Sequence, residues 1–239
     1  EKIPAGGAPI EAIRNAGRAS ASIEFGRTLR RTPTAAAWLE ASRSVARRNL
    51  GWPVGVRETD RFFRVLEELS GRPTPAHHLA ERGRLVDAYV DGHKYAFGNR
   101  AVIYGEEDMV AGLASLLSEI GVRPVLCASG GRSGLLAGAI SDVTEALETT
   151  VLEGADFAAI GEAARGLEPD FLLGSSKGYR LARELNVPLI RAGFPIHDRI
   201  GGQRLLHLGY RGAQRLFDEI VNTLIQRKQE SSTVGYSYM

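Results

Sequence analysis

Short β-rich apolar runs alternate along residues 100–191 with segments whose apolar positions recur at the helical period. The runs lie at residues 101–104, 124–127, 150–152, 171–173 and 188–190. Because strands that alternate with amphipathic helices form βαβ units, this pattern predicts a parallel sheet covered by helices. The fold class is therefore α/β, with a Rossmann-like or flavodoxin-like domain whose strand order the sequence leaves open.

The segments before this sheet resemble the end of another α/β domain. Residues 22–25 are predicted as a strand, and residues 34–47 and 58–69 are predicted as helices. The chain begins at Glu1 rather than Met, which suggests that an N-terminal part precedes it.

A domain boundary is predicted where Pro73 and Pro75 interrupt the helical pattern. We assign residues 1–72 to the end of a preceding α/β domain plus a linker. Residues 73–239 form the Rossmann-like C-terminal domain, which opens with an interdomain helix over residues 79–97.

The C-terminal end of the chain reads as an amphipathic helix followed by a polar tail. The apolar positions of the helix are Leu216, Phe217, Ile220, Val221, Leu224 and Ile225. The tail is predicted to span residues 226–239.

Composition narrows the possible functions. The chain has 239 residues, of which 44% are hydrophobic and 24% charged, and its formal net charge is +2 with the signs interspersed. No basic face suggests a nucleic-acid partner, and no apolar run reaches the roughly 20 residues that cross a bilayer. We therefore expect a soluble, cytoplasmic protein that binds neither nucleic acid nor membrane.

The single cysteine, Cys127, limits the redox and metal chemistry. It excludes a disulfide within the chain, a cysteine-ligated zinc site and an iron–sulfur cluster held by this chain alone. If clusters are involved, most of their ligands come from elsewhere.

The loops that follow predicted strands are the expected ligand sites of a parallel sheet. Residues 105–108 are interpreted as a helix cap. Residues 129–134, SGGRSG, either bind an anion or form a plain flexible loop. The small residues at 174–178, GSSKG, permit the close approach of another backbone or of a cofactor.

The loop at residues 191–199 is the richest in polar side chains. His197 beside Asp198 is either an oriented imidazole or, more simply, a surface or interface histidine. No catalytic residue is assigned.

Two carboxylates, Asp87 and Asp91, lie four residues apart on the long predicted helix and therefore share one face. They are either solvated or ligands of a hard metal ion. His77, His78 and His93 lack a convincing set of partner ligands and are interpreted as solvent-facing or capping.

Five segments then occur in the order found in β-type subunits of the nitrogenase component 1 family, which this chain resembles over nearly its whole length. They are ERGRLVD at 81–87, YGEED at 104–108, GSSKG at 174–178, GFPIHDR at 193–199 and LGYRGA at 208–213.

The resemblance implies a three-domain subunit of which this chain is roughly the second half. It further implies an α-type partner, a second β-type subunit and an ATP-dependent iron protein as electron donor. An iron–sulfur cluster would be shared with the α-type partner through ligands outside this segment, and the partner would hold the catalytic or precursor cofactor. Cys127 matches none of the family's cluster ligands.

The resemblance also carries one functional position over: Asp87 and Asp91 match an acidic pair that helps to bind a metal between two β chains. Separately, Pro195 should make the loop at residues 193–199 rigid. Phe194, His197, Asp198 and Arg199 are expected at an interface or in a contact that locks the two α/β domains together, with Asp198 and Arg199 forming charge-assisted hydrogen bonds and His197 not acting as a metal ligand.

Two functions remain open. The first is a subunit of a nitrogenase-like reductase, either dinitrogenase or a relative such as methylthio-alkane reductase. The second is a NifN-type scaffold on which the cofactor precursor matures. Residues 196–202 and 234–239 depart from the usual molybdenum-nitrogenase β chain, which argues against dinitrogen reduction.

Overall fold

The computed structural model describes residues 9–29, 34–144 and 148–233. Its N-terminal part pairs two parallel strands, with Ala21 opposite Ala46 and Phe25 opposite Leu50. Its elements are α1 (Ile10–Asn15), β1 (Ala21–Phe25), α2 (Ala35–Arg43) and β2 (Ala46–Leu50).

The helix predicted over residues 34–47 is wrong at its C-terminal end. Thr34 caps α2, but Ser44 takes a left-handed conformation with φ 56° and stops the helix. The next residues extend and pair with β1, so β2 occupies positions that the helical prediction had included. Pairing with a distant strand outweighed the local helical preference of Ala46 and Arg47.

Two helices lead into the larger sheet. They are α3 (Gly55–Ser70) and α4 (Ala76–Ala96), so both begin three residues before their predicted starts. Gly71, with φ 65°, ends α3, and Pro75 is the residue immediately before α4.

The five-stranded sheet confirms the predicted α/β architecture. Its strands are β3 (Arg100–Gly105), β4 (Arg123–Ser129), β5 (Thr150–Glu153), β6 (Phe171–Gly174) and β7 (Leu189–Arg191). All pairs are parallel, and the order is β5-β4-β3-β6-β7. Relabelled from β3, this is the 3-2-1-4-5 order of a Rossmann sheet rather than the flavodoxin order.

The remaining helices cover the two faces of this sheet. They are α5 (Glu107–Glu119), α6 (Leu136–Thr144), α7 (Phe157–Arg165), α8 (Tyr179–Glu184) and α9 (Gly209–Ser231). The helix α9 continues into the segment predicted as a polar tail, and residues 234–239 of that tail lie outside the described residues.

The larger core lies between the sheet and the helices α3, α4, α5 and α9. Along α5 nearly every side chain is buried, and Leu113, Leu116 and Leu117 are fully enclosed. A smaller core on the opposite face of the sheet contains Val102, Leu126 and Leu172. Within the described part of the chain, no helix is long and apolar enough to cross a membrane.

Candidate functional site

The crevice where the strand order reverses, between β3 and β6, is filled by the chain itself. The hydroxyl of Tyr104, at the end of β3, donates to the carbonyl oxygen of Ser175 at 2.5 Å. A Cβ atom at Gly178 would lie 2.0 Å from the Tyr104 hydroxyl oxygen. The small residues at 174–178 therefore admit a tyrosine ring from the neighbouring strand, and burial raises the pKa of that tyrosine.

Near the loops after β3 and β4, backbone N–H groups donate to carboxylates of this chain. Glu106 caps α5, accepting from the backbone N–H groups of Asp108 and Met109, as the helix-cap interpretation predicted. In the 129–134 loop, the Ser133 N–H donates to Glu107 at 3.1 Å and the Gly134 N–H donates to Glu153 at 2.7 Å. Carboxylates of this chain thus already occupy positions that an external anion would take.

Two further carboxylates of α5 reach the N-terminal part of the chain. Asp108 is buried and accepts from the N–H groups of Arg27 at 2.5 Å and Thr28 at 3.1 Å. At the other end of α5, Glu119 accepts from the N–H groups of Val56 and Arg57, both at 2.8 Å. Neither contact is predictable from the sequence, because carboxylates at helix ends usually face solvent.

Glu119 lies in an unusual electrostatic setting. Burial raises the pKa of its carboxyl to about 6, although the two N–H donors at the start of α3 oppose that shift. The left-handed Gly55, with φ 85°, allows this approach, since a Cβ there would lie 2.6 Å from a Glu119 carboxylate oxygen.

The loop from residue 192 to residue 208, here called the β7–α9 loop, is anchored to β7 by an ion pair. Arg191 is nearly buried, and its Nε and Nη2 atoms donate to both carboxylate oxygens of Asp198 at 2.6–3.1 Å. The hydrogen bonds from Arg191 hold the pKa of Asp198 below its usual range. Arg199, largely exposed, donates to the Asp198 carbonyl oxygen at 2.7 Å.

A second anchor joins the β7–α9 loop to the 174–178 loop. The Ser176 hydroxyl donates to the Pro195 carbonyl oxygen at 2.9 Å, and the His197 N–H donates to the Ser176 oxygen at 3.2 Å. The imidazole of His197 lies on the surface, and its Nδ1 atom is 3.4 Å from Ser176 Oγ. Phe194 is 74% exposed.

The helix α4 presents Asp87 and Asp91 on its outer face. Both are exposed, and within residues 9–29, 34–144 and 148–233 neither carboxylate has a hydrogen-bond or ion-pair partner. Val90 beside them is 73% exposed and Val86 is 36% exposed. The inner face packs on α9, where Phe217 lies directly over Gly92.

Other potential ligands are dispersed. Among the residues that the structure describes, no group of three or more His, Cys, Asp or Glu side chains is placed to hold a metal ion. Cys127 is fully buried in β4, and burial raises the pKa of its thiol. His78 pairs with Glu81, while His93 meets the ring of Phe97 edge-on.

Comparison with known proteins assigns this chain to one family. The family model described as nitrogenase component 1 type oxidoreductase matches residues 1–225. The nitrogenase molybdenum-iron protein beta chain of Methanothermobacter marburgensis is 37% identical over 181 residues, 74% of this chain and 39% of that relative. The corresponding beta chain of Azotobacter vinelandii is 36% identical over 194 residues, 77% of this chain and 37% of that relative.

A solved structure agrees with this assignment. The structure titled "Nitrogenase Cp1 at pH 6.5" superposes with a TM-score of 0.89 and 28% identity, covering 100% of this chain and 53% of that one. This chain thus spans roughly two-fifths to half the length of the relatives it matches. It belongs to the nitrogenase component 1 type oxidoreductases, and within that family it is similar to the β-type subunits.

Proposed function

We propose that this chain acts as part of the β-type subunit of a nitrogenase-like reductase. The observation that carries the proposal is the identity of 36–37% to molybdenum-iron protein beta chains over about three quarters of the chain. In this assembly an α-type chain pairs with the β-type chain, and an ATP-dependent iron protein supplies electrons. Dinitrogen is one candidate substrate, and a methylthio-alkane is another.

The iron–sulfur cluster implied by the family does not fit the residues described. Cluster ligation needs several thiolates, whereas Cys127 is the only cysteine of the chain and is sealed inside β4. In our proposal the ligands of the shared cluster therefore lie outside this segment, and the α-type partner holds the catalytic or precursor cofactor. The described residues then contribute framework and interfaces.

The outer face of α4 is proposed to meet a second β-type chain, with a metal ion between Asp87 and Asp91 and ligands from that chain. Two carboxylates on one helix face, without a cation of their own chain, suit a hard divalent ion. Replacing both by Asn should lower the content of bound divalent metal in the assembled protein, whereas Asp142→Asn, on the exposed surface of α6, should not. Equal metal content in all three proteins would refute this site.

The Asp198–Arg199 segment is proposed to help fix the relative placement of the two α/β domains. The bidentate ion pair of Arg191 with Asp198 supports a rigid loop, as does the hydrogen bond of Ser176 to Pro195. An Arg199→Ala variant of the assembled complex should then lose stability or reduction rate. Unchanged stability, cluster content and rate would exclude the role, and loss of metal in a His197→Ala variant would show that His197 is a ligand.

A NifN-type scaffold subunit remains the second candidate. The expectation that IHDRIGG at residues 196–202 departs from the usual molybdenum-nitrogenase β chain keeps this candidate open. A scaffold would assemble with an α-type chain in the same way but would hand on a cofactor precursor instead of reducing a substrate.

One experiment separates the two candidates. The full-length natural polypeptide is produced anaerobically with its α-type partner, purified and supplied with iron protein and MgATP. Substrate reduction at a steady rate supports the reductase. Failure to reduce any substrate, with transfer of an iron–sulfur precursor to a cofactor-free reductase, supports the scaffold. A chain that forms no complex with the α-type partner contradicts both.

A further inference from the structure

The inner face of α4 determines how the helix lies against α9. Leu85, Gly92 and Ala96 are buried, and the spacing along the helix places all three on one face. Asp87 and Asp91 lie on the opposite, exposed face. Because these residues belong to one continuous helix, the depth at which the inner face packs on α9 also sets the position of the two carboxylates.

Gly92 brings α4 into close contact with α9. A Cβ atom at position 92 would lie 2.5 Å from Phe217 Cζ and 3.2 Å from Val221 Cγ2. Phe217 is 2% exposed, and its ring packs against that of Tyr89 with the ring centroids 5.0 Å apart. The phenylalanine ring therefore has little room to turn away. A larger residue at position 92 would push α4 away from α9.

The size of this displacement exceeds what a metal site tolerates. Carbon atoms pack at about 3.5–4.0 Å, so a methyl group at position 92 requires a shift of about 1 Å. Distances between a metal ion and its ligands vary by only about 0.2 Å in well-formed sites. The shift of α4 would therefore carry Asp87 and Asp91 away from the positions at which they share a metal ion with ligands of another chain.

The N-terminal half of α4 is held by separate contacts. Arg82 donates through Nε and Nη2 to the carboxylate of Asp60 on α3, at 2.9–3.0 Å. The hydroxyl of Tyr210 on α9 donates to the same carboxylate at 2.8 Å. These contacts resist a movement of the whole helix. A methyl group at position 92 would therefore tilt α4 about its N-terminal half.

We propose that Gly92 and Phe217 are positioning residues for the metal ion assigned to Asp87 and Asp91. The close helix contact that Gly92 permits sets the position of both carboxylates, although neither positioning residue touches the metal. The inference rests on the proposed metal site and deepens it. It makes metal affinity depend on side-chain volume at a contact on the far side of the helix.

The test uses the full-length natural polypeptide in its assembled complex, freed of divalent ions by a chelator and titrated with Mn²⁺. Electron paramagnetic resonance of free Mn²⁺ gives the Kd, while circular dichroism and sedimentation check folding and assembly. Gly92→Ala introduces the methyl group, and a second substitution, Phe217→Leu, makes room for it. The matched control is Gly83→Ala on the same helix, where a Cβ would meet nothing within 4 Å.

We expect Gly92→Ala to raise the Kd for Mn²⁺ about tenfold, as loss of the groups that orient metal ligands does. Adding Phe217→Leu should return the Kd to within about threefold of the natural value, because the total volume at the contact is then nearly restored. Gly83→Ala should stay within about twofold. Truncating a buried phenylalanine does not by itself strengthen a fold, so this recovery separates positioning from a general loss of stability.

A milder variant covers the case in which Gly92→Ala does not assemble. Val221→Ile enlarges the α9 side of the same contact, and it should raise the Kd for Mn²⁺ by a smaller factor. An unchanged Kd in the assembled variant, an equal rise in Gly83→Ala, or no recovery with Phe217→Leu would overturn the inference and leave the metal site intact.

Failure of the metal site itself gives a different result. If Asp87→Asn together with Asp91→Asn leaves Mn²⁺ binding unchanged, or if the natural protein binds no Mn²⁺, the proposed site is wrong and the inference falls with it.

Discussion

The helix α5 and the β7–α9 loop use charged side chains in opposite ways. Around α5, the carboxylates of Glu107, Asp108 and Glu119 point inward and accept from backbone N–H groups of other segments. In the β7–α9 loop, one carboxylate, Asp198, serves to anchor the loop, and the cations Arg199 and Arg204 face solvent.

This difference separates buried charge that holds the fold together from charge that remains at the surface. A buried carboxylate that accepts from backbone donors stabilises the fold and is shielded from external ligands. An exposed cation contributes little to the stability of the isolated chain, even where it pairs locally as Arg199 does with Asp198. The number of charges in a loop therefore says less about function than the groups to which those charges are bonded.

The largest expected effect is that of Asp108→Ala. It removes the acceptor for the N–H groups of Arg27 and Thr28, so the free energy of unfolding should fall by about 2–4 kcal/mol. Denaturant unfolding measures the loss, and hydrogen exchange at the Arg27 and Thr28 amides should accelerate. A loss no greater than that of Asp142→Ala, an exposed position on α6, would show that the contact is not structural.

The next effect is that of Asp198→Ala, which leaves the nearly buried guanidinium of Arg191 without its carboxylate. We expect a loss of about 2–3 kcal/mol in the free energy of unfolding. The matched control is Glu184→Ala, which breaks the exposed pair with Arg180 and should cost below about 0.5 kcal/mol. Equal losses of unfolding free energy in the two variants would mean that the ion pair of Arg191 with Asp198 behaves like a surface ion pair.

Glu119 should give the α5 region a characteristic pH dependence. Its folded-state pKa, raised to about 6 by burial, exceeds the ordinary glutamate value of 4.5. Stability from this group is therefore fully present below about pH 4.5 and is lost as the pH rises through 6. Between pH 4.5 and 7 the free energy of unfolding of the natural chain should fall by about 2 kcal/mol more than that of the Glu119→Gln variant. Denaturant unfolding of both proteins at the two pH values measures this difference. Parallel pH profiles would contradict this assignment.

The smallest effect on the chain's own stability is expected at Ile200. Because its side chain is wholly in solvent, Ile200→Asp should change the free energy of unfolding by less than about 0.5 kcal/mol. Thermal unfolding of this variant measures the change directly. A larger loss would mean that the β7–α9 loop packs on the chain itself, and the contrast with α5 would disappear.

The sequence predicted the larger sheet well because its strands are continuous apolar runs. Apolar runs that contain fully buried residues such as Ile103, Leu126 and Leu172 predict buried strands without knowledge of the tertiary structure. The strand β2 was missed since Arg47, Arg48 and Asn49 are polar and partly exposed, so that neither hydrophobic alternation nor burial marks them. Its strand character comes from pairing with β1, which is a non-local contact.

The candidate site could be predicted only in part. The richness of residues 191–199 in polar groups was visible, but the partner of Asp198 is Arg191, which ends the preceding strand. The roles of Asp108 and Glu119 as acceptors had no local signal in the sequence. Asp108 binds the N–H group of Arg27, 81 residues away, and Glu119 binds that of Val56, 63 residues away. Chain folding, and not sequence spacing, brings those groups together.

The two edges of the five-stranded sheet limit how the molecule can aggregate. The edge strand β7 has only three residues, and the Arg191 side chain donates to the Leu189 carbonyl oxygen on the same strand. The other edge strand, β5, has four residues and ends in Glu153. Short, charged edges offer a poor template for an incoming strand. Growth of this sheet into intermolecular β-structure is thereby discouraged.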